Sequence, residues 1–351
     1  MSRFNVGVTG YGWAAGAHID SIQKTRLGQV TSIYSSRARE LDGAQLSVKH
    51  GTSIRLYDDL DEMLADPALH VIDITSYPSM HKDHVLKAAA AGKHLIIEKP
   101  LALCWDDCQA IQQAVKSSGV QTCVCFECRF SDQFMATKRL IDQNILGRIH
   151  YGEVDYFHGI GPWYGQYRWS TKRDNGGSSL LSAGCHALDA LLLCMDGEVE
   201  SVTSISTRST NDIFHPYEYP TTTVSLLRFT DGRVGKTTSS IDCLQPYYFH
   251  THLIGSEGSL LDNKLYTTRF GDLKRDRWCE LSTPLLDSGD VADHPYQKQF
   301  EAFFESLSNH SKMALTSLED ACRTFNVVFA CDRSAAEAGR TVTLKELSDV
   351  L

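Results

Sequence analysis

The first 125 or so residues carry six short apolar runs, and a segment of helical texture separates each neighbouring pair. "FNVGVTG", "QVTSIYSS", "SIRLY", "VIDITS", "HLIIEK" and "VQTCVCFEC" read as strands. "AAGAHIDSIQK", "ARELDGAQLSVKH", "DLDEMLAD", "HKDHVLKAAAAG" and "WDDCQAIQQAVKSSG" read as helices between them. Strands alternating with helices form βαβ units, and those units force a parallel sheet. Strands this apolar have both faces covered. After about residue 125 the texture changes. Helices are expected at 132–146, 178–195, 296–308 and 317–338, between long alternating runs such as "IHYGEVDYF", "VESVTSISTRST" and "TTTVSLLRFTDGRVGKTTSSI". The Asp-Gly in "FTDGRV" marks a hairpin. This part reads as an α+β domain with a large, mostly antiparallel open sheet. The expected boundaries are 1–124 and 125–351.

A chain of 351 residues suits two domains. A formal net charge of −9 argues against a nucleic-acid partner. No apolar run approaches the roughly 18 residues of a membrane helix, and "MSRFNVGVTG" runs directly into a strand, so no signal peptide is expected. The 11 cysteines are scattered, several of them in apolar runs (Cys104, Cys185, Cys194). That is the pattern of reduced thiols in a cytoplasmic protein. "CVCFEC" lacks the second cluster of a zinc site, so no metal is expected there.

In an open parallel sheet, ligands bind beyond the carboxyl ends of the strands. The first strand ends in "GYGWAA". Gly10, Gly12 and Ala15, with Trp13 between them, make G-x-G-x-x-A between a strand and a helix. That is the dinucleotide-binding pattern of a Rossmann sheet, with the pyrophosphate on the helix N-terminus. Where an NAD site holds an acid for the ribose hydroxyl, Ser35, Ser36 and Arg37 follow the second strand. Hydroxyls and a guanidinium suit a 2′-phosphate, so NADP is expected over NAD, which remains possible. Ser76, Tyr77 and His81 follow the fourth strand, Glu98 and Lys99 the fifth, and Glu127 and Arg129 the sixth. The first two groups are expected at the cofactor, with Lys99 also catalytic. Glu127 and Arg129 are expected at the substrate. In a helix from about 178, Ser182, His186 and Asp189 share one stripe by i, i+4, i+7 spacing. The preceding loop holds Trp163, Tyr164, Tyr167 and Trp169, aromatic faces suited to the C–H face of a sugar.

"GYGWAAGAH", "GKHLIIEKPLA" (92–102) and "GGSSLLSAGCHALDALL" (176–192) resemble motifs of the glucose–fructose oxidoreductase / inositol 2-dehydrogenase (Gfo/Idh/MocA) family. The resemblance implies a Rossmann domain followed by an open-sheet domain that often forms the subunit interface. It implies a homo-oligomer, a dimer or tetramer, that oxidises or reduces a hydroxyl of a sugar, polyol or glycoside. Lys99 matches the family's active-site lysine and His186 its catalytic histidine. Both would hold one substrate hydroxyl, and the Lys99–Pro100 peptide would be cis. One departure stands out: the family commonly has an aspartate four residues before the histidine, and here that residue is Ser182. Asp174, Asp189 or Glu127 could compensate. Two alternatives share the same cofactor: glycoside cleavage through transient sugar oxidation, and a non-catalytic NAD(P)/sugar sensor.

Overall fold

The structure is a computed structural model that describes residues 3–271 and 273–348. The first third forms β1 (Phe4–Thr9), α1 (Ala15–Thr25), β2 (Gly28–Tyr34), α2 (Gly43–His50), β3 (Arg55–Tyr57) and α3 (Leu60–Leu64). It continues through β4 (Val71–Ile74), α4 (His81–Ala90), β5 (His94–Ile97), α5 (Trp105–Ser118) and β6 (Thr122–Val124). Next come α6 (Asp132–Asp142), β7 (Ile149–Phe157), α7 (Tyr167–Ser170) and α8 (Arg173–Gly176), then a π-helical turn (Leu180–Gly184) that runs into α9 (Cys185–Met195). They are followed by β8 (Val199–Thr207), β9 (Thr222–Phe229), β10 (Val234–Ser240), β11 (Tyr248–Gly255), β12 (Gly258–Leu261), β13 (Lys264–Thr267) and β14 (Cys279–Glu280). The last elements are α10 (Tyr296–Ser308), α11 (Leu318–Ala336), β15 (Val342–Thr343) and α12 (Lys345–Ser348).

Two compact units result: Met1–Glu127 with Val291–Cys322, and Cys128–Asp290 with Arg323–Leu351. A single cut after residue 124 does not anticipate the return of Val291–Cys322 to the first unit. One expected helix, over 38–50, is cut short. Asp42 turns extended and its carboxylate accepts the Ala44 and Gln45 N–H groups, so α2 starts only at Gly43.

The first unit holds a six-stranded, all-parallel sheet in the order β3-β2-β1-β4-β5-β6. Its strands fill the interior with fully buried Val6, Val8, Ile33, Ile72, Ile96 and Val124. The chain reverses direction across the sheet between β1 and β4, the switch point where such sheets bind ligands. Thr9 is level with Tyr34 and Ile74, Ile74 with Ile97, and Ile97 with Val124. Whatever follows these strands therefore shares one edge. Helix α10 packs beside α1, with Phe300, Phe303 and Phe304 fully buried and the Phe300 ring 5.1 Å from that of His18. Phe304 stacks on Phe4 at 5.7 Å. Each such ring contributes about 1.5–3 kcal/mol through burial.

The second unit holds a nine-stranded sheet, β14-β13-β12-β11-β7-β10-β9-β8-β15. Among the described strands its single parallel pair is β7 with β10. The Asp-Gly hairpin joins β9 to β10 as expected, with Gly232 at φ +85°. Alternation sends Val154, Tyr156, Leu227, Phe229, Phe249 and Leu253 inward, where α9 covers β7 and β10. The outer face carries Ile205 at 68% exposure and Leu226 at 52%. One helical stretch, Arg173–Met195, is long and apolar enough to cross a membrane, but 83% of its apolar window is buried in the fold. All 11 cysteines are free thiols. Cys185 and Cys194 are buried as expected of small apolar residues, whereas Cys104 is exposed just before α5.

Candidate active site

At the end of β1, Gly10 has φ +86°, and a Cβ there would lie 2.9 Å from the Ser76 Cα. Only glycine fits that turn. A Cβ on Gly12 would meet nothing within 4 Å, so the chain there is open to a close-lying group. Ala15 begins α1 and is fully buried, with Trp13 half-buried just before it. No side chain caps α1, and its first turn contains no acid. The uncapped N–H groups and the positive end of the helix dipole are left to an anion. An open cradle beside such a helix end fits the pyrophosphate of a dinucleotide. Past β2, Ser35 Oγ accepts the Arg37 N–H at 3.1 Å, while Ser36 and Arg37 are exposed. No acid occupies these three positions.

The remaining strand ends bring Ser76, Tyr77 and Lys99 to the same edge. Tyr77 is 52% exposed and Lys99 is half-buried just before a cis Lys99–Pro100 peptide. His81 and Glu98, expected at the cofactor, are instead turned inside the unit. The His81 ring is fully buried between two main-chain carbonyls, Ser76 O at 3.0 Å and Pro100 O at 2.8 Å. It ties the β4 and β5 loops together. Glu98 Oε1 accepts from Tyr296 at 2.7 Å and lies 2.9 Å from His18 Nε2, and its Oε2 accepts the Lys99 N–H at 2.8 Å. The other His18 nitrogen lies 3.0 Å from Asp73 Oδ1. Burial opposes a charge on His18, but Asp73 and Glu98 outweigh it and hold its pKa up at about 10. Burial also opposes the Glu98 carboxylate, yet His18, Lys99 and Tyr296 pull its pKa down to about 2. For Asp73, burial prevails and the pKa is raised. A buried histidine cation between two acids thus fixes the backbone of Lys99 from behind. His18 lies within "GYGWAAGAH", but no local pattern names Asp73 or Tyr296 as its partners. Glu127, expected at the substrate, is fully buried with Oε1 3.1 Å from His294 Nδ1.

In the second unit, the stripe expected from Ser182 to Asp189 is broken. The π-helical turn over Leu180–Gly184 carries more residues per turn than an α-helix, which rotates Ser182 off the line through His186 and Asp189. Ser182 Oγ donates back to the Ser178 carbonyl at 2.8 Å. Tight seating accompanies the wider turn: a Cβ on Gly184 would lie 2.2 Å from the Ser239 Cβ on β10. His186 follows in the first turn of α9, 4% exposed. Arg129 and Asp189, expected at the substrate, face each other instead. Two 2.6 Å hydrogen bonds make a buried bidentate pair, and Thr324 Oγ1 donates to Asp189 Oδ1 at 2.7 Å. This pair anchors α9 three residues after His186.

The aromatic loop divides in two. Tyr164 and Tyr167 donate to the Gly289 and Ile213 carbonyls, and Trp169 is half-buried in α7. Trp163 alone of the four is widely exposed, at 61%, with its indole N–H donating to the Gly159 carbonyl. It walls a cavity of about 320 Å³ lined also by His158, Cys243, Leu244, Gln245 and Tyr247. Sequence reading named only Trp163 here. The others follow the ends of β7 and β10, which become neighbours only through their parallel pairing.

Six parallel strands in this order, with an open glycine cradle at the switch point, define a dinucleotide-binding α/β protein. Residues 4–126 match the family described as "Oxidoreductase family, NAD-binding Rossmann fold", and residues 134–261 match its "GFO/IDH/MocA C-terminal domain". Together these spans exceed half the chain, which belongs to the Gfo/Idh/MocA family; its first unit is an NAD-binding Rossmann domain. It is 30% identical over 190 residues to an uncharacterized oxidoreductase of Synechocystis, covering 54% of this chain and 50% of that one. It is 28% identical over 198 residues to a scyllo-inositol 2-dehydrogenase (NADP(+)) of Bacillus subtilis, covering 55% and 52%. These matches span about half the length of each relative. A myo-inositol 2-dehydrogenase of Thermotoga maritima matches at 24% identity over 97% of this chain and 99% of its own. A solved levoglucosan dehydrogenase, in complex with NADH and levoglucosan, shares the fold at TM-score 0.80 and 21% identity, covering 97% of this chain and 99% of that one.

Proposed function

We propose that this protein is an NAD(P)-dependent dehydrogenase acting on a hydroxyl of a sugar, polyol or glycoside. The observation that carries the proposal is Lys99, held by the Glu98–His18–Asp73 cluster at the same strand edge as the glycine cradle. When bound, the nicotinamide supplies a hydride acceptor or donor. Lys99 orients the substrate oxygen and offsets its developing charge, while His186 takes or returns the hydroxyl proton. The Arg129–Asp189 pair anchors the helix that carries His186. Trp163 and Tyr247 offer aromatic faces to a ring's C–H surface, and Gln245 offers hydrogen bonds to hydroxyls. Named relatives that act on inositols and levoglucosan support this substrate class. Ser36 and Arg37 favour NADP. Free thiols throughout support a cytoplasmic setting.

The test is to record any cofactor that purifies with the protein, then follow the nicotinamide absorbance band with a panel of sugars, polyols and glycosides. Net cofactor turnover with a panel member is the expected result. Glycoside cleavage without net turnover, or binding with no reaction, would overturn the proposal.

A further inference from the structure

The outer face of the nine-stranded sheet carries a group of side chains far from the chemistry proposed above in kind. Alternation along β11 buries Phe249, Thr251 and Leu253 and turns Tyr248, His250 and His252 to the other face. Register places His252 opposite Glu153 on β7, and His250 opposite Asp155. One candidate ligand atom from each of Glu153, His250 and His252 lies within 4.8 Å of the other two. We propose that these three residues form a divalent-metal site of the zinc class, completed by water.

The chemistry around them fits. Two imidazoles and one carboxylate are a donor set for zinc and its borderline neighbours. Bonds of about 2.1 Å separate tetrahedral ligands by about 3.4 Å, so the three ligand atoms need to draw in from their present spacing when the ion binds. His250 Nδ1 lies 3.2 Å from Asp262 Oδ1 and 3.0 Å from the Tyr248 hydroxyl, which itself donates to Asp262 Oδ2 at 2.6 Å. That arrangement puts the His250 proton on Nδ1 and leaves Nε2 as the ligand, the carboxylate–histidine–metal pattern. Among the described residues no hydrogen bond engages the His252 ring, which lies edge-on to Tyr151 at 6.2 Å.

Charge points the same way. Three carboxylates (Glu153, Asp155, Asp262) gather here; Lys236 Nζ lies 2.6 Å from Glu153 and 2.7 Å from Asp155, while Asp262 pairs with His250. Tyr151 donates to the second Glu153 oxygen at 2.9 Å. Lys236 therefore competes for Glu153, and a bound ion leaves it on Asp155. In the single chain the His250 side chain is 19% exposed and Glu153 18%.

The experiment uses the full chain, stripped by chelator and titrated with Co²⁺ and Zn²⁺ by visible absorption and calorimetry. One ion per chain is expected, with a tetrahedral Co²⁺ band. His252→Asn and Glu153→Gln each weaken this binding by about tenfold or more, and Asp262→Asn by about tenfold. Lys236→Met tightens it. Affinity falls as pH drops, because protons compete for both imidazoles. Far-ultraviolet circular dichroism confirms that each variant is folded. Wild-type binding equal to that of folded His252→Asn and Glu153→Gln, or a Co²⁺ band unchanged by them, would overturn the proposal.

Discussion

His18 is a cation enclosed by protein, and its charge ties stability to pH. Its folded pKa of about 10 lies above the ordinary 6.5 of a free imidazole. Its contribution is therefore complete below about pH 6.5 and is lost as pH rises through about 10. Glu98 works in the opposite sense: its pKa of about 2, against 4.5, contributes above about pH 4.5 and is lost as pH falls through 2. Asp73, with its pKa raised by burial, offsets part of this gain. Replacing His18 by Gln leaves two buried acids without their shared cation. Breaking such a pair costs about 3–5 kcal/mol. Denaturant unfolding measured from pH 6 to 10 should show this loss at pH 7 and a flatter decline on the alkaline side. An unchanged alkaline decline would mean that His18 is not the cation. The variant should also lower turnover more than it weakens cofactor binding, because Glu98 then holds the Lys99 N–H less firmly.

At the scale of elements, the proposed preference for NADP rests on the loop after β2. Arg37 is exposed there and the acid of an NAD site is missing from Ser35–Arg37. Arg37→Ala should weaken NADP binding by about tenfold or more and leave NAD nearly unchanged, by titration of intrinsic fluorescence; a charge-assisted phosphate contact is worth about 1.5–3 kcal/mol. Equal losses for both, or tighter wild-type binding of NAD, would contradict the assignment. Most elements were legible in the sequence because burial on one or both faces leaves a period of 2 or 3.6 in the chain. Helix α10 matches its expected span of 296–308 for this reason. Three things were not legible. The π-helical turn ends where Gly184 seats closely on Ser239, a contact between distant segments that no local pattern announces. The inward turn of Glu98 depends on Tyr296, 198 residues away. Arg129 and Asp189 looked available because nothing local announces that they are each other's partner across 60 residues.

At the scale of the whole molecule, the outer face of the large sheet exposes Ile205, Val224, Leu226 and Val234. Apolar side chains grouped on an open sheet face mark an association surface. The chain is therefore expected to be a homo-oligomer, a dimer or tetramer, by light scattering at micromolar concentration. Leu226→Asp should shift it toward monomer, and a wild-type monomer would contradict this. The account of the whole protein rests on Lys99 and His186 acting on one hydroxyl. Steady-state turnover of wild type, Lys99→Ala, His186→Ala and the double variant tests this most directly, on whichever panel compound the wild type turns over. Each single variant should lose about a hundredfold or more with cofactor affinity largely intact, and the double variant much less than the product of the two losses. Full activity in His186→Ala, or losses that multiply, would contradict it.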